Sequence, residues 1–194
     1  MVEFEQYKHN TNSVGGILSD TNLIRRVGKH ILQTKSNTKH LNLDEKQIRT
    51  WILCRQKPLY YIYNFVKFEV TGGISDYKEE RFHPKLKRYV RCAHLQHNSL
   101  LMASRQLGKS TISAALLDWA IRFYPNNKAI ILNFKKESAL ENLKKIKFIN
   151  EELPDFLRLE LTSKSDIKTY ADYSNGSTIK TFFPTTVFIC CFRQ

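Results

Sequence analysis

The segment Ser104-Arg105-Gln106-Leu107-Gly108-Lys109-Ser110-Thr111 carries residue types that hold a nucleotide's phosphates, at a spacing that suits the task. Gly108 lets the backbone approach a phosphate closely, and the amide N–H groups that follow open a helix, where they form an anion nest. Lys109 is placed to reach the β- and γ-phosphates as a point charge, and Ser110 to hold Mg2+ through its hydroxyl. The usual phosphate-loop pattern is Gly, four residues, then Gly-Lys-Ser/Thr. Here Ala103 stands at the first glycine's position, which a strand end accommodates at an ordinary backbone angle. Arg105, inside the loop, has two readings: a finger in cis stabilising charge on the γ-phosphate, or a partner for a carboxylate elsewhere in the fold. A bare Gly-Lys-Ser tripeptide is a weak signal, and its setting gives it weight.

That setting is a strand–loop–helix unit. Leu100-Leu101-Met102-Ala103 is short and apolar, as a buried strand is. Thr111 to Tyr124 puts Ile112, Ala115, Leu116, Trp119, Ala120 and Phe123 on one face of a helix that Pro125-Asn126-Asn127 stops. Lys128 to Asn133 reads as a second buried strand, and Glu137 to Asn150 as a helix with Ala139, Leu143, Ile146 and Ile149 or Asn150 inward. Strand, helix, strand, helix in that order predicts a right-handed crossover and a parallel sheet with helices on its faces. Asn175-Gly176, between Thr169–Ser174 and Thr178–Phe183, is a hairpin turn signal.

Upstream, Asp44 is placed to cap a helix carrying Ile48, Trp51 and Ile52, which Pro58 ends. Leu59 to Phe68 fits a helix or an extended segment, and core packing is the expected use of its aromatics, with base stacking as the alternative. Gly72-Gly73 marks a turn, Asp76 to Arg81 a loop, and Pro84 to His97 a basic helix with Lys85, Lys87, Arg88 and Arg91. Residues 1–41 are polar and read as an arm, in which Ile24, Val27, Ile31 and Leu32 hint at a short helix.

Composition agrees with a folded chain: 194 residues, 42% hydrophobic and 12% aromatic. The 31 Lys and Arg against 18 Asp and Glu leave a net charge of +13, which favours a polyanionic partner. Cys54, Cys92, Cys190 and Cys191 form no Cys-x-x-Cys pair and point to a reducing compartment. His94 and His97 have the spacing of two metal ligands on a helix, with no third ligand near them in sequence. With no basic-then-apolar leader and no run of membrane-spanning length, a soluble intracellular protein is expected.

At these residues the chain resembles the N-terminal ATPase (motor) domain of the tailed-phage terminase large subunit. Ser104-Arg105-Gln106-Leu107-Gly108-Lys109-Ser110 is that family's variant of the phosphate loop. Ile48–Cys54, Pro58–Val66, Glu137–Leu143, Leu153–Leu157 and Asn175–Ile179 follow in the family's order, so that the likeness runs from about Asn42 to about Pro184. The resemblance implies an α/β, P-loop NTPase-like three-layer fold with a largely parallel central sheet. It divides the chain into the arm, 1–41, and a partial ATPase domain, 42–194. It implies ATP and Mg2+ as cofactors, Lys109 and Arg105 as catalytic residues, and Ser104 to Thr111 as the nucleotide contacts. Its partners would be double-stranded DNA, a portal protein, a small terminase subunit and other copies in a ring, in the cytoplasm of an infected bacterial cell.

Three departures qualify that reading. The family's Tyr-Gln pair, which reads adenine, is replaced by Phe82-His83-Pro84-Lys85-Leu86-Lys87-Arg88-Tyr89. No apolar strand ending in Asp-Glu follows the hairpin, and Asp166 and Asp172 are poor substitutes for acids that hold Mg2+ and activate water. The family's nuclease domain is not seen. The expectation is therefore a fold incomplete at its C-terminal end, cut before the acidic strand, that exposes sheet edge and binds ATP with weak or no turnover. A helicase-like ATPase and a non-enzymatic basic fragment that binds DNA or a partner are the alternatives.

Overall fold

A computed structural model describes residues 25, 26, 29, 44–70, 72–78, 82–95, 101, 102, 104, 107–162 and 169–183. Among these are five helices, α1 (Glu45–Gln56), α2 (Pro58–Phe65), α3 (Pro84–His94), α4 (Lys109–Phe123) and α5 (Lys136–Glu152). Five strands accompany them: β1 (Lys67–Val70), β2 (Gly73–Asp76), β3 (Lys128–Leu132), β4 (Tyr170–Asp172) and β5 (Thr178–Phe182).

Local chemistry accounts for the boundaries. Asp44 caps α1, and the Gln47 side chain accepts from the Asp44 amide at 3.1 Å, which fixes the first turn. Pro58 ends α1 and also opens α2 at its first position, where the missing N–H costs nothing. The aromatic run resolves into both of its readings, helical through Phe65 and then strand from Lys67. Tyr61 and Ile62 are fully buried, so packing is the use these residues have. Gly72, at φ 101°, turns β1 back on β2. The glycine pair marked that turn in the sequence, whereas the two strands, only four residues each and mostly exposed, gave no periodic signal.

β3, β5 and β4 form one sheet in that order, β3 parallel to β5 and β4 antiparallel to it. The expected hairpin is β4–β5, closed by hydrogen bonds from Tyr173 N to Ser177 O at 2.9 Å and from Gly176 N to Tyr173 O at 3.0 Å. The sheet is mixed where a largely parallel one was expected, because a tight turn can only join antiparallel neighbours. One face, with Ile179, Ala171 and Thr181 buried, packs on α4 and α5. The other exposes Ile130, Leu132 and Phe182, with Phe134 following 82% exposed. β3 was expected to be buried and is half open instead.

Helices α1, α2 and α3 pack on the far side of α4, so the layers run sheet, α4 with α5, then the first three helices. Within the described residues this differs from a sheet clothed on both faces. Leu101 and Met102 belong to no strand, and Met102 is 80% exposed. A four-residue apolar run becomes a strand only where a neighbour completes its ladder, and none of the described strands pairs with these two residues. Ala103 and Leu100 lie outside the described residues, as do most of 1–41, where Arg25, Arg26 and Lys29 are helical and exposed. The tail from Pro184 to Gln194 is also outside them. No helix among the described residues is long and apolar enough to cross a membrane.

α4 is more central than its one-face pattern predicts. Ala114, Asp118, Ile121 and Arg122 are buried along with the expected face. The charges are matched: Arg122 Nη2 donates to Asp118 Oδ1 at 2.7 Å and Arg122 Nε to Asp118 Oδ2 at 3.2 Å. Tyr61 donates its hydroxyl to Asp118, and Arg122 also donates to Asn150 Oδ1 at 2.9 Å and to the Leu157 carbonyl. Burial works against the guanidinium's charge, but Asp118 and Tyr61 hold its pKa above the ordinary arginine value.

Candidate nucleotide-phosphate site

Gly108 is the N-cap of α4, and its backbone is left-handed at φ 78° and ψ 19°. This is a conformation that glycine adopts without the steric cost a Cβ brings. The first helical bond runs from Ile112 N to Gly108 O at 3.0 Å, so the amides of Lys109, Ser110 and Thr111 have no acceptor within the helix. The positive end of a helix is where the sequence leads one to expect an anion nest. The helix begins at Lys109, directly after Gly108.

Lys109 folds back over the loop, its Nζ donating to the Ser104 carbonyl at 2.7 Å. Its ammonium is thereby held beside the loop's own backbone. Ser110 is exposed in the first turn with its hydroxyl available as an oxygen ligand, and Ser104 is exposed. Leu107 is half-buried against the core and anchors the loop. The Tyr77 hydroxyl stands near Thr111, and its oxygen lies 3.5 Å from where a Cβ on Gly108 would stand. Arg105 and Gln106 lie outside the described residues.

Topology places this loop at a definite end of the sheet. α4 packs on β3 and joins it through residues 124–127 alone, so helix and strand run antiparallel. Gly108 therefore lies toward the ends at which β3 and β5 finish, at Leu132 and Phe182. That is the carboxyl edge, where ligands of open α/β sheets sit. Asp172 pairs with Thr178, at the opposite end of β5. A 15-residue helix spans about 22 Å, which removes Asp172 from the loop's reach. Asp166 lies outside the described residues, among which no group of three His, Cys, Asp or Glu side chains is arranged to hold a metal ion. His97, the proposed companion of His94, lies outside them as well.

Residues 100–186 match the family described as terminase large subunit, T4likevirus-type, N-terminal. That match supports the likeness to a terminase large-subunit N-terminal segment. The match contains the loop, α4, β3, α5 and the β4–β5 hairpin, and it supports a DNA-packaging terminase role. It covers just under half of the chain, so Ile48–Cys54 and Pro58–Val66, quoted above for the resemblance, lie outside it. No curated protein matches the chain.

Sequence reasoning missed two features that build the site. Tyr77 comes from a hairpin thirty-one residues before Gly108, and its only signal was an aromatic residue just beyond the Gly72-Gly73 turn. The hairpin turn at Asn175 also holds the far end of α4. Asn175 Nδ2 and Ser177 Oγ both donate to the Ile121 carbonyl, at 2.7 and 3.0 Å, satisfying an orphan acceptor of the helix's last turn.

Proposed function

We propose that the chain is the ATP-binding motor segment of a viral DNA-packaging terminase, with a P-loop NTPase-like core. The observation that carries this reading is the left-handed Gly108 N-cap with Lys109 behind it, inside a segment of terminase type. In it the amides after Gly108 receive the phosphates, Lys109 neutralises the β- and γ-oxygens, and Arg105 supplies charge to the γ-phosphate. Ser104, Gln106, Leu107 and Thr111 are the further nucleotide contacts in this reading. The exposed Ser110 hydroxyl suits a Mg2+ ion carried in with ATP, which would supply charge neutralisation between the phosphates.

Turnover requires carboxylates that hold Mg2+ and orient water, and among the described residues no group of three His, Cys, Asp or Glu side chains is arranged to hold a metal ion. Tight binding with slow hydrolysis is the corresponding behaviour. DNA contact falls to α3, whose exposed Lys85, Arg88 and Arg91 share its outer side with no acidic residue in the helix. α3 packs on α4, and Tyr89 Oη lies 3.4 Å from Ser113 Oγ, one turn from the loop. Portal protein, small terminase subunit and further copies in a ring are the partners of a packaging motor in the infected bacterial cytoplasm.

The test is phosphate release from ATP with Mg2+ and double-stranded DNA, beside the Lys109→Ala variant. Slow release that Lys109→Ala abolishes fits the proposal. Release equal in both chains means that the loop is not the site. Rapid, Lys109-dependent release means that an acidic pair completes the site after all.

A further inference from the structure

A cavity of about 390 Å³ is lined by Phe68, Ser75 and Asp76 of the β1–β2 hairpin and by Tyr77 and Lys78, which follow it. Tyr77 joins cavity and loop: the side chain that lines the one sets its hydroxyl against Gly108 and Thr111 of the other. Its ring lies 4.6 Å from the Phe68 ring at an interplanar angle of 37°, and 5.2 Å from that of Phe82 in an edge contact. Phe82 in turn meets Tyr63 edge-on at 5.2 Å, which braces the cluster against α2. Both aromatic walls of the cavity are thus held in place by packing.

The polar lining is as specific as the apolar. Asp76 presents a carboxylate that only accepts hydrogen bonds when ionised, and Ser75 a hydroxyl that donates or accepts. A sugar's vicinal hydroxyls and a base's amino group are donors that such groups satisfy. The exposed Lys78 adds a positive charge to the lining. Flat π-faces with one carboxylate, one hydroxyl and one ammonium, a single tyrosine away from an anion nest, are the complement of a nucleoside bearing phosphates.

We infer that the β1–β2 hairpin cavity is the nucleoside subsite of the phosphate loop, with Phe68 and Tyr77 stacking the base and Asp76 accepting from the ribose hydroxyls. This rests on the loop's being a nucleotide site. It gives the chain a way to hold the base without the glutamine that it lacks near residues 82–89.

Calorimetry on the full chain decides it, with two probes: ATP, which has a nucleoside, and inorganic tripolyphosphate, which has none. Phe68→Leu, which keeps apolar bulk but removes the π-face, and Phe68→Ala weaken ATP by about tenfold or more, as the loss of one stacking contact does. Both leave tripolyphosphate unchanged. Tyr77→Phe keeps the ring and retains ATP binding better than Tyr77→Ala does. Lys109→Ala weakens both probes. If the Phe68 variants bind ATP as the parent does, or lose both probes equally, the nucleoside subsite is overturned while Lys109-dependent tripolyphosphate binding keeps the loop reading intact. If neither probe binds in a Lys109-dependent way, subsite and loop reading fall together.

Discussion

Replacing Arg122 by leucine removes the guanidinium from the centre of the molecule and keeps most of its apolar volume. In the parent, the Arg122 side chain is 1% exposed and Asp118 is fully buried. The variant leaves the Asp118 carboxylate with the Tyr61 hydroxyl but no cation, and it leaves the Leu157 carbonyl and Asn150 without their arginine donor. Breaking one side of a buried ion pair costs about 3–5 kcal/mol, because the remaining charge keeps its desolvation penalty. For a chain of this size each kcal/mol moves the midpoint by about 2–4 °C, so the melting temperature falls by about 6–20 °C. Arg49→Ala is the internal comparison. Its pair with Glu45 is i,i+4 like that of Arg122 with Asp118, but the two side chains are 44% and 54% exposed, and such pairs contribute about 0.3–0.5 kcal/mol. Circular dichroism melts of parent, Arg122→Leu and Arg49→Ala run side by side settle the point. An Arg122→Leu chain that melts within a degree or two of the parent refutes the claim that this pair organises the core.

Gly176→Ala is expected to destabilise by about 1–2 kcal/mol from its left-handed backbone alone, at φ 78°, and by more because the added Cβ meets the Asn126 side chain; urea midpoints measure it. Burial holds the His94 pKa below its ordinary 6.5, so the folded state binds its proton less readily than the unfolded one. Stability from this residue is complete above about pH 6.5 and is lost as pH falls through the depressed folded pKa; His94→Gln flattens that part of the stability–pH curve. Neutralising Lys85, Arg88 and Arg91 together lowers the slope of log K against log salt for double-stranded DNA by about 2.7 if each meets one phosphate. A slope unchanged in the triple variant moves the DNA surface off α3.

Much of this architecture was written in local patterns. The inward row of α5, from Ala139 to Asn150, follows from helical period and is buried as expected. Asn175-Gly176 identifies its hairpin because few residues accept the φ that Gly176 adopts. Gly108 and Lys109 were legible for a similar reason, since the left-handed cap demands glycine. What escaped depends on long-range contact. Asp118 and Arg122 fall outside the apolar stripe of α4, yet helices packed on several sides bury them as a pair. The open face of β3 escaped because an apolar strand looks alike whether one face is covered or two. Tyr77 meets the loop through the fold alone, and no spacing in sequence announces it.

The most direct test of the central claim is equilibrium binding of ATP with Mg2+ to the full chain, compared with Lys109→Ala at matched melting temperature. Saturable one-site binding in the parent, lost in Lys109→Ala, is the expected result. Equal affinity in the two chains, or no binding in the parent, contradicts it.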